Sequence, residues 1–350
     1  MAKLTGTKKN DLKVGTDTPD LIEGLSGDDT LAGGGGDDSV YGGVGNDLLF
    51  GFREYSDNEY DSQGLATFGD DIDYLYGGAG NDLYVMDALV SSGQGKVIIV
   101  ELPGEGTDTI IANVSKKKPS YTIPDNVENC VNDTTLSDNG SPLFVEITGN
   151  SLNNLIQTSP ASWSNLKKIT SGINETKASC EKFDGDQGDD TLKSGAGNDS
   201  LEGGSGNDSL LAGTGDDTLV GGSGIDQLSG GIGADVFVFS SGDCLASGKV
   251  FDQIKDFKFT EGDQIKLDGM ANIKCHVRDF KEKSVASALV DANKDFQEGL
   301  NVSIQFVASN GLMCVDFDEN GSVDGVVILT GLKAGNEDFV DYAEGGSMFA

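Results

Sequence analysis

A nine-residue period runs through two stretches of this 350-residue chain. A repeat that short cannot bury a core alone, so only stacking on its neighbours can give it a fixed structure. In the first stretch GLSGDDTLA (24–32), GGGGDDSVY (33–41) and GGVGNDLLF (42–50) follow without a gap, after the looser GTDTPDLIE (15–23). In the second, GDQGDDTLK, SGAGNDSLE, GGSGNDSLL, AGTGDDTLV, GGSGIDQLS and GGIGADVFV run in register from residue 185 to 238. A further pair, FGDDIDYLY (68–76) and GGAGNDLYV (77–85), stands apart.

The places within the repeat carry the chemistry. Place eight is apolar throughout: Ile22, Leu31, Val40, Leu49, Leu75, Tyr84, Leu192, Leu201, Leu210, Leu219, Leu228 and Phe237. A three-residue strand centred there puts one side chain inward and its neighbours outward. Each nonapeptide is then a turn plus a short strand, two make one coil, and repeats n and n+2 stack on the same side. Place six supplies a hard oxygen: Asp20, Asp29, Asp38, Asp47, Asp73, Asp82, Asp190, Asp199, Asp208, Asp217, Asp226 and Asp235. The turn glycines Gly24, Gly27, Gly34, Gly36, Gly43, Gly45, Gly188, Gly195, Gly197, Gly204, Gly206, Gly213, Gly215, Gly222 and Gly224 permit left-handed angles and let carbonyls converge.

Stacking at the ~4.8 Å strand spacing sets these carboxylates in columns. At an effective dielectric of about 20, each neighbouring pair repels by roughly 3 kcal/mol. One apolar side chain per nine residues contributes only about 2 kcal/mol, against backbone ordering of about 1–2 kcal/mol for every residue. A divalent, oxygen-seeking cation between coils reverses the sign, and calcium accepts six to eight mixed carboxylate and carbonyl ligands. For an isolated fragment such as 77–85 a metal-free Gly-Asn-Asp turn is the alternative. The pattern G-G-x-G-x-D-x-U-x resembles the RTX (repeats-in-toxin, haemolysin-type) calcium-binding repeat. That resemblance implies an all-β fold, a right-handed parallel β-roll with a C-terminal β-rich cap, and Ca²⁺ as the cofactor.

Between and beyond the arrays the pattern changes. Residues 51–67 interrupt the first array as a polar insert, and 93–157 keep strand character without the strict turns. Within 93–157, the phrases at 104–110, 121–129 and 148–156 resemble the linker found between RTX arrays, so 1–157 forms one expected unit. Residues 158–184, rich in Ser, Thr, Asn and Lys, read as a mobile connection to the second array at 185–240. Residues 241–350 form the expected cap. Phe237, Phe239, Asp252, Ile254, Asp256, Phe257, Gly262, Asp263, Ile265 and Leu267 match a phrase of the serralysin-type C-terminal domain. That resemblance implies an uncleaved signal read by a type I exporter, which fits the lack of an apolar leader at the N-terminus. Asp316, Asp318, Asn320, Gly321 and Asp324 match an EF-hand loop in part, but place twelve is Val327. A calcium site there competes with a plain acidic hairpin turn.

Composition narrows the function. With 24 basic and 58 acidic residues the net charge is −34, which argues against nucleic acid or an anionic membrane as a partner. The longest aliphatic runs, 97–100 and 326–329, are far too short for a membrane span. His276 is the sole histidine, so no H-E-x-x-H zinc site exists, and no G-x-S-x-G nucleophile turn is present. Five scattered cysteines form neither a zinc pattern nor a disulfide framework and read mostly as free thiols. The expected function is that of a secreted, extracellular calcium-binding protein that folds on meeting Ca²⁺, structural or interacting in role and without catalysis. The alternative is an adhesion or carrier module that binds a glycan or protein ligand through 51–67 or the cap. A small RTX-type hydrolase is the third class.

Overall fold

The computed structural model describes residues 1–51, 72–87, 96–113, 120–132, 144–158, 180–240, 243, 251–268, 275–278, 304–307, 312–315 and 325–329. It divides into two units, Met1–Lys177 and Ala178–Ala350. Among the described residues the regular structure is β-strand apart from one 3₁₀ turn, Phe259–Glu261.

In the first unit the chain alternates between parallel sheets, two as far as Lys96–Ile99, after which Ser120–Thr122 and Phe144–Thr148 pair in a third. One sheet runs Ala2–Thr5, Asp20–Ser26, Ser39–Val44, Ile72–Ala79, Lys96–Ile99. The other contains Leu12–Val14, Thr30–Ala32, Leu48–Phe50, Leu83–Asp87, Thr109–Asn113, Asn129–Asn132 and Leu155–Thr158 in that order. Register places Leu31, Leu49, Tyr84, Ile110, Cys130 and Ile156 directly over one another, all fully buried. The expected n/n+2 stacking is what forms, since Ile22 pairs with Val40 and Val40 with Leu75. Residues 52–67 of the insert lie outside the described residues.

The second unit repeats the plan. Phe183, Leu201, Leu219, Phe237 and Ile265 make one apolar ladder, and Leu192, Leu210, Leu228, Ile254 and Leu329 the other. Beyond Gly325–Leu329 the sheet turns antiparallel through Leu312–Val315 and Ile304–Val307, and Cys275–Arg278 lies at its end. His276 lies on that last strand.

Three details differ from expectation. The strands of the second array are six residues long, as in Ser200–Ser205, because the glycine pair stays in the ladder: Gly204 pairs with Gly222. Without side chains, that stretch can stack backbone on backbone. In one sheet of the first unit place nine is also apolar, so Ala32, Phe50 and Val85, joined by Ile111 from beyond the repeats, form a second buried cluster on the other face of their sheet. The connection is shorter than 158–184, because Cys180–Asp184 is a strand whose Glu181 and Phe183 face inward. Cys130, Cys180 and Cys314 are free thiols, and burial pushes Cys130 and Cys314 up to about 12. Cys130 thus acts as one rung of an apolar ladder.

Leu210 is fully buried, and a void in a coil that touches only its neighbours has little else to collapse onto. Leu210→Ala should lower unfolding free energy by about 2–5 kcal/mol, measured by chemical denaturation in saturating calcium.

Candidate metal centre

Each turn delivers its sixth-place aspartate to the inside edge of a strand, where the backbone of the coil before holds one of its oxygens. In the first unit Asp11 N–H donates to Asp29 Oδ1 at 2.7 Å, Asp29 to Asp47 at 2.7 Å, Asp47 to Asp82 at 2.6 Å and Asp82 to Asp108 at 2.8 Å. The other column runs from Ala2 N–H to Asp20, Asp20 to Asp38 and Asp38 to Asp73. In the second unit one column links Asp190, Asp208, Asp226 and Asp252. Its neighbour links Glu181, Asp199, Asp217, Asp235 and Asp263. Place five adds an outer ladder: Asn46 N–H donates to Asp28 Oδ1, Asn81 to Asn46 and Ile225 to Asn207.

One carboxylate oxygen is therefore satisfied and the other is not. Oδ2 of Asp29, Asp47, Asp82, Asp199, Asp208, Asp217, Asp226, Asp235 and Asp252 is buried and accepts no hydrogen bond. Such an orphan carries the full desolvation penalty of a charged group. At Gly42 the space an added Cβ would fill is shared by Asp47 Oδ2 and the Gly77 carbonyl of the next coil; at Gly203 it is shared by Asp208 Oδ2 and the Gly221 carbonyl. At these two turns glycine is thus required by room, whereas Ser194 and Ala212 occupy place one in the other column of the second unit. Two hard oxygens from adjacent coils converge on a space that no side chain can enter, and that donor set fits Ca²⁺. The sixth-place aspartates and the first-place carbonyls would hold it.

Burial, reinforced by neighbouring carboxylates, makes these acids reluctant to ionise without a cation. Asp47, Asp108, Asp208 and Asp235 are pushed up to about 6. Asp82, Asp217 and Asp226 reach about 7, and Asp252 about 8.

The first coil departs from this pattern. Thr16 donates both its backbone N–H (2.7 Å) and its hydroxyl (2.8 Å) to Asp20 Oδ2, and Thr7 does the same for Asp11 Oδ2. Burial raises Asp20, but these hydrogen bonds, with that from Ala2, outweigh it and leave it below the usual carboxylate range. Expected as a ligand alongside the others, Asp20 here has both oxygens engaged. Sequence reasoning also left out Asp108, Asp252 and Asp263 as continuations of the columns. Their signal was the D-x-U spacing (Asp108 with Ile110, Asp252 with Ile254, Asp263 with Ile265), which survives after the glycines are lost. The partial EF-hand match at 316–324 lies outside the described residues.

A parallel β-roll with an oxygen-lined, glycine-cleared space at turns such as those of Gly42 and Gly203 is the architecture of a calcium-binding roll. A family model for the RTX calcium-binding nonapeptide repeat matches in four copies, at residues 14–49, 69–85, 184–219 and 211–243. Both units therefore carry the repeat, and the repeat family binds Ca²⁺. Comparison with curated proteins gives no match.

Because these carboxyls titrate in the folded roll well above their ordinary value of 3.8, protonation favours the metal-free folded form. That contribution is fully present below about pH 4 and disappears as pH rises through about 6 to 8. In chelator, far-UV circular dichroism should show more β-structure at pH 5 than at pH 8. In calcium the order should reverse or vanish. A metal-free chain with a flat response over that range would contradict the burial of these acids.

Proposed function

We propose that this protein is a calcium-triggered structural or interaction protein. Its turns bind Ca²⁺ between coils, and the chain folds where calcium is abundant. The observation that carries this is the row of buried aspartate oxygens without hydrogen-bond partners, with a carbonyl of the next coil sharing the space beside Asp29, Asp47 and Asp208. The ligands in this proposal are the sixth-place aspartates from Asp29 to Asp82 and from Asp190 to Asp235, with the first-place glycine carbonyls.

Extracellular modules bind calcium with dissociation constants of about 10⁻⁴–10⁻³ M. Tenfold above that constant each site adds about 1.4 kcal/mol, and well below it almost nothing. A chain of charge −34 that stays loose inside the cell suits passage through a type I exporter, with folding outside. The serralysin-like phrase at 236–270 supports the same route. Among the described residues no helix is long and apolar enough to cross a membrane. The proposal assigns no catalytic step to this chain, since the carboxylate pairs are committed to the metal columns.

A second reading, adhesion to a glycan or protein, is favoured by one feature. Tyr41 and Tyr76 stack face to face at 4.3 Å on neighbouring strands, with Tyr41 and Tyr74 exposed beside them. Aromatic faces of this kind suit a sugar ring or an apolar side chain. Loss of surface binding in a Tyr41→Ser/Tyr76→Ser variant with an unchanged calcium response would favour this reading.

The principal test is a calcium titration followed by far-UV circular dichroism, with magnesium as control. A cooperative gain of β-structure is expected with calcium, and little with magnesium, which demands a tighter octahedral shell. Asp217→Asn should move the midpoint several-fold toward higher calcium, whereas Asp20→Asn should leave it nearly unchanged. A chelated protein already as β-rich and heat-resistant as the calcium form would overturn the proposal.

A further inference from the structure

The last regular turn of the first unit, 77–82, differs from those before it. By register with Asp82 and Asp108, the next coil should present the carbonyl of residue 103 beside Gly77, as Gly77 itself does beside Gly42. Instead, the atoms nearest a Cβ built on Gly77 are Asp82 Oδ2, the Tyr84 hydroxyl and Glu101 Oε1. A carboxylate has taken the place of the carbonyl.

Asp82, Glu101 and Asp108 are each at least nine-tenths buried, and one oxygen from each lies within 4.8 Å of the others. Asp82 Oδ2 and Glu101 Oε2 accept no hydrogen bond. None of the ion pairs among the described residues reaches any of the three. Glu101 is held from both ends. The Asn126 side-chain amide donates to its backbone carbonyl at 2.9 Å, and the Tyr84 hydroxyl donates to Oε1. Asp108 is fixed by its own amide, which donates to Glu128 Oε2 at 2.8 Å, and by accepting from Asp82 N–H at 2.8 Å.

We propose that Asp82, Glu101 and Asp108 form a further Ca²⁺ site that closes the calcium column of the first unit, with Glu101 as a charged ligand where regular turns use a peptide carbonyl. The inference rests on the calcium reading of the roll and adds a ligand outside the nonapeptide. Three carboxylates converge here. Because ligand charge raises calcium affinity, this site fills before those of the regular turns.

The test uses the full-length chain as wild type, Glu101→Gln and Asp217→Asn. Bound calcium is counted by equilibrium dialysis, and terbium(III), an oxygen-seeking ion of similar size, is followed by luminescence excited through tyrosine. Glu101→Gln preserves shape and can still accept from Tyr84. It should bind one calcium fewer, lose the tightest binding phase and lose most of the early terbium signal, with a wild-type far-UV spectrum at saturating calcium. If Glu101 is instead a neutral carboxyl partnered by Tyr84, glutamine replaces it without effect. An unchanged calcium count and terbium curve, with Asp217→Asn still losing a site, would then overturn this inference alone. No calcium uptake by the wild type would overturn the roll reading as well. Should Glu101→Gln fail to fold, the wild type decides. An early terbium signal displaced by calcium and abolished by Tyr84→Phe supports the site, and its absence overturns it.

Discussion

The second oxygen of the buried aspartate is the constraint on which the roll depends. Parallel stacking gives Oδ1 a backbone amide from the coil before, at about hydrogen-bond length in every column. The same geometry leaves Oδ2 facing another oxygen. Two acceptors cannot satisfy each other, so something positive must lie between them. A proton can do this in acid, and the raised values of Asp226 and Asp252 express that demand. At neutral pH a divalent cation does it better, because it neutralises the carboxylate and also draws in the carbonyl of the next coil.

Coils that need no cation show the same requirement met by other means. Thr7 and Thr16 stand where most turns have glycine, and they fill the aspartate oxygen with an amide and a hydroxyl. In the linker coils, Asn150 and Asn154 take over. Asn150 Nδ2 donates to the carbonyls of Pro124 and Val127, and Asn154 Nδ2 to that of Glu128. An amide brings its own donors, so converging carbonyls are satisfied within the protein. The identity of the side chain at one or two places in the turn thus decides whether a coil is closed by hydrogen bonds or by metal.

Much of this was legible in the sequence. Place eight named the apolar ladders residue by residue, because a period of nine with one inward side chain leaves no other partner for Leu192, Leu201 or Leu210. The n/n+2 stacking followed from the same period. Less visible was everything that kept the geometry without the glycines. Asp108, Asp252 and Asp263 continue the columns although their turns have another shape, and Cys180–Asp184 pairs as a strand although it looks like connecting chain. Glu101 was not legible at all. Its proposed role depends on a turn that swings a side chain into a space that, at Gly42 and Gly203, belongs to backbone, and no periodicity reports that.

A solenoid coil touches only the coils beside it, so its stability is a sum of local terms and nearest-neighbour terms. On the proposed reading the nearest-neighbour term is the shared cation, since at turns such as those of Gly42 and Gly203 an aspartate oxygen of one coil and a carbonyl of the next share one space. A coil without an ordered neighbour has half a site, and a site without a cation repels its neighbour. Ordering and calcium binding are therefore one process along the stack. In the first unit the first coil is closed by threonines that need no metal. At the last regular turn the aspartate column meets the buried carboxylate of Glu101, where a lone carbonyl would offer a single dipole. The coils that follow are closed by asparagine amides, so the proposed charged ligand stands where the stack passes from metal to hydrogen bonds.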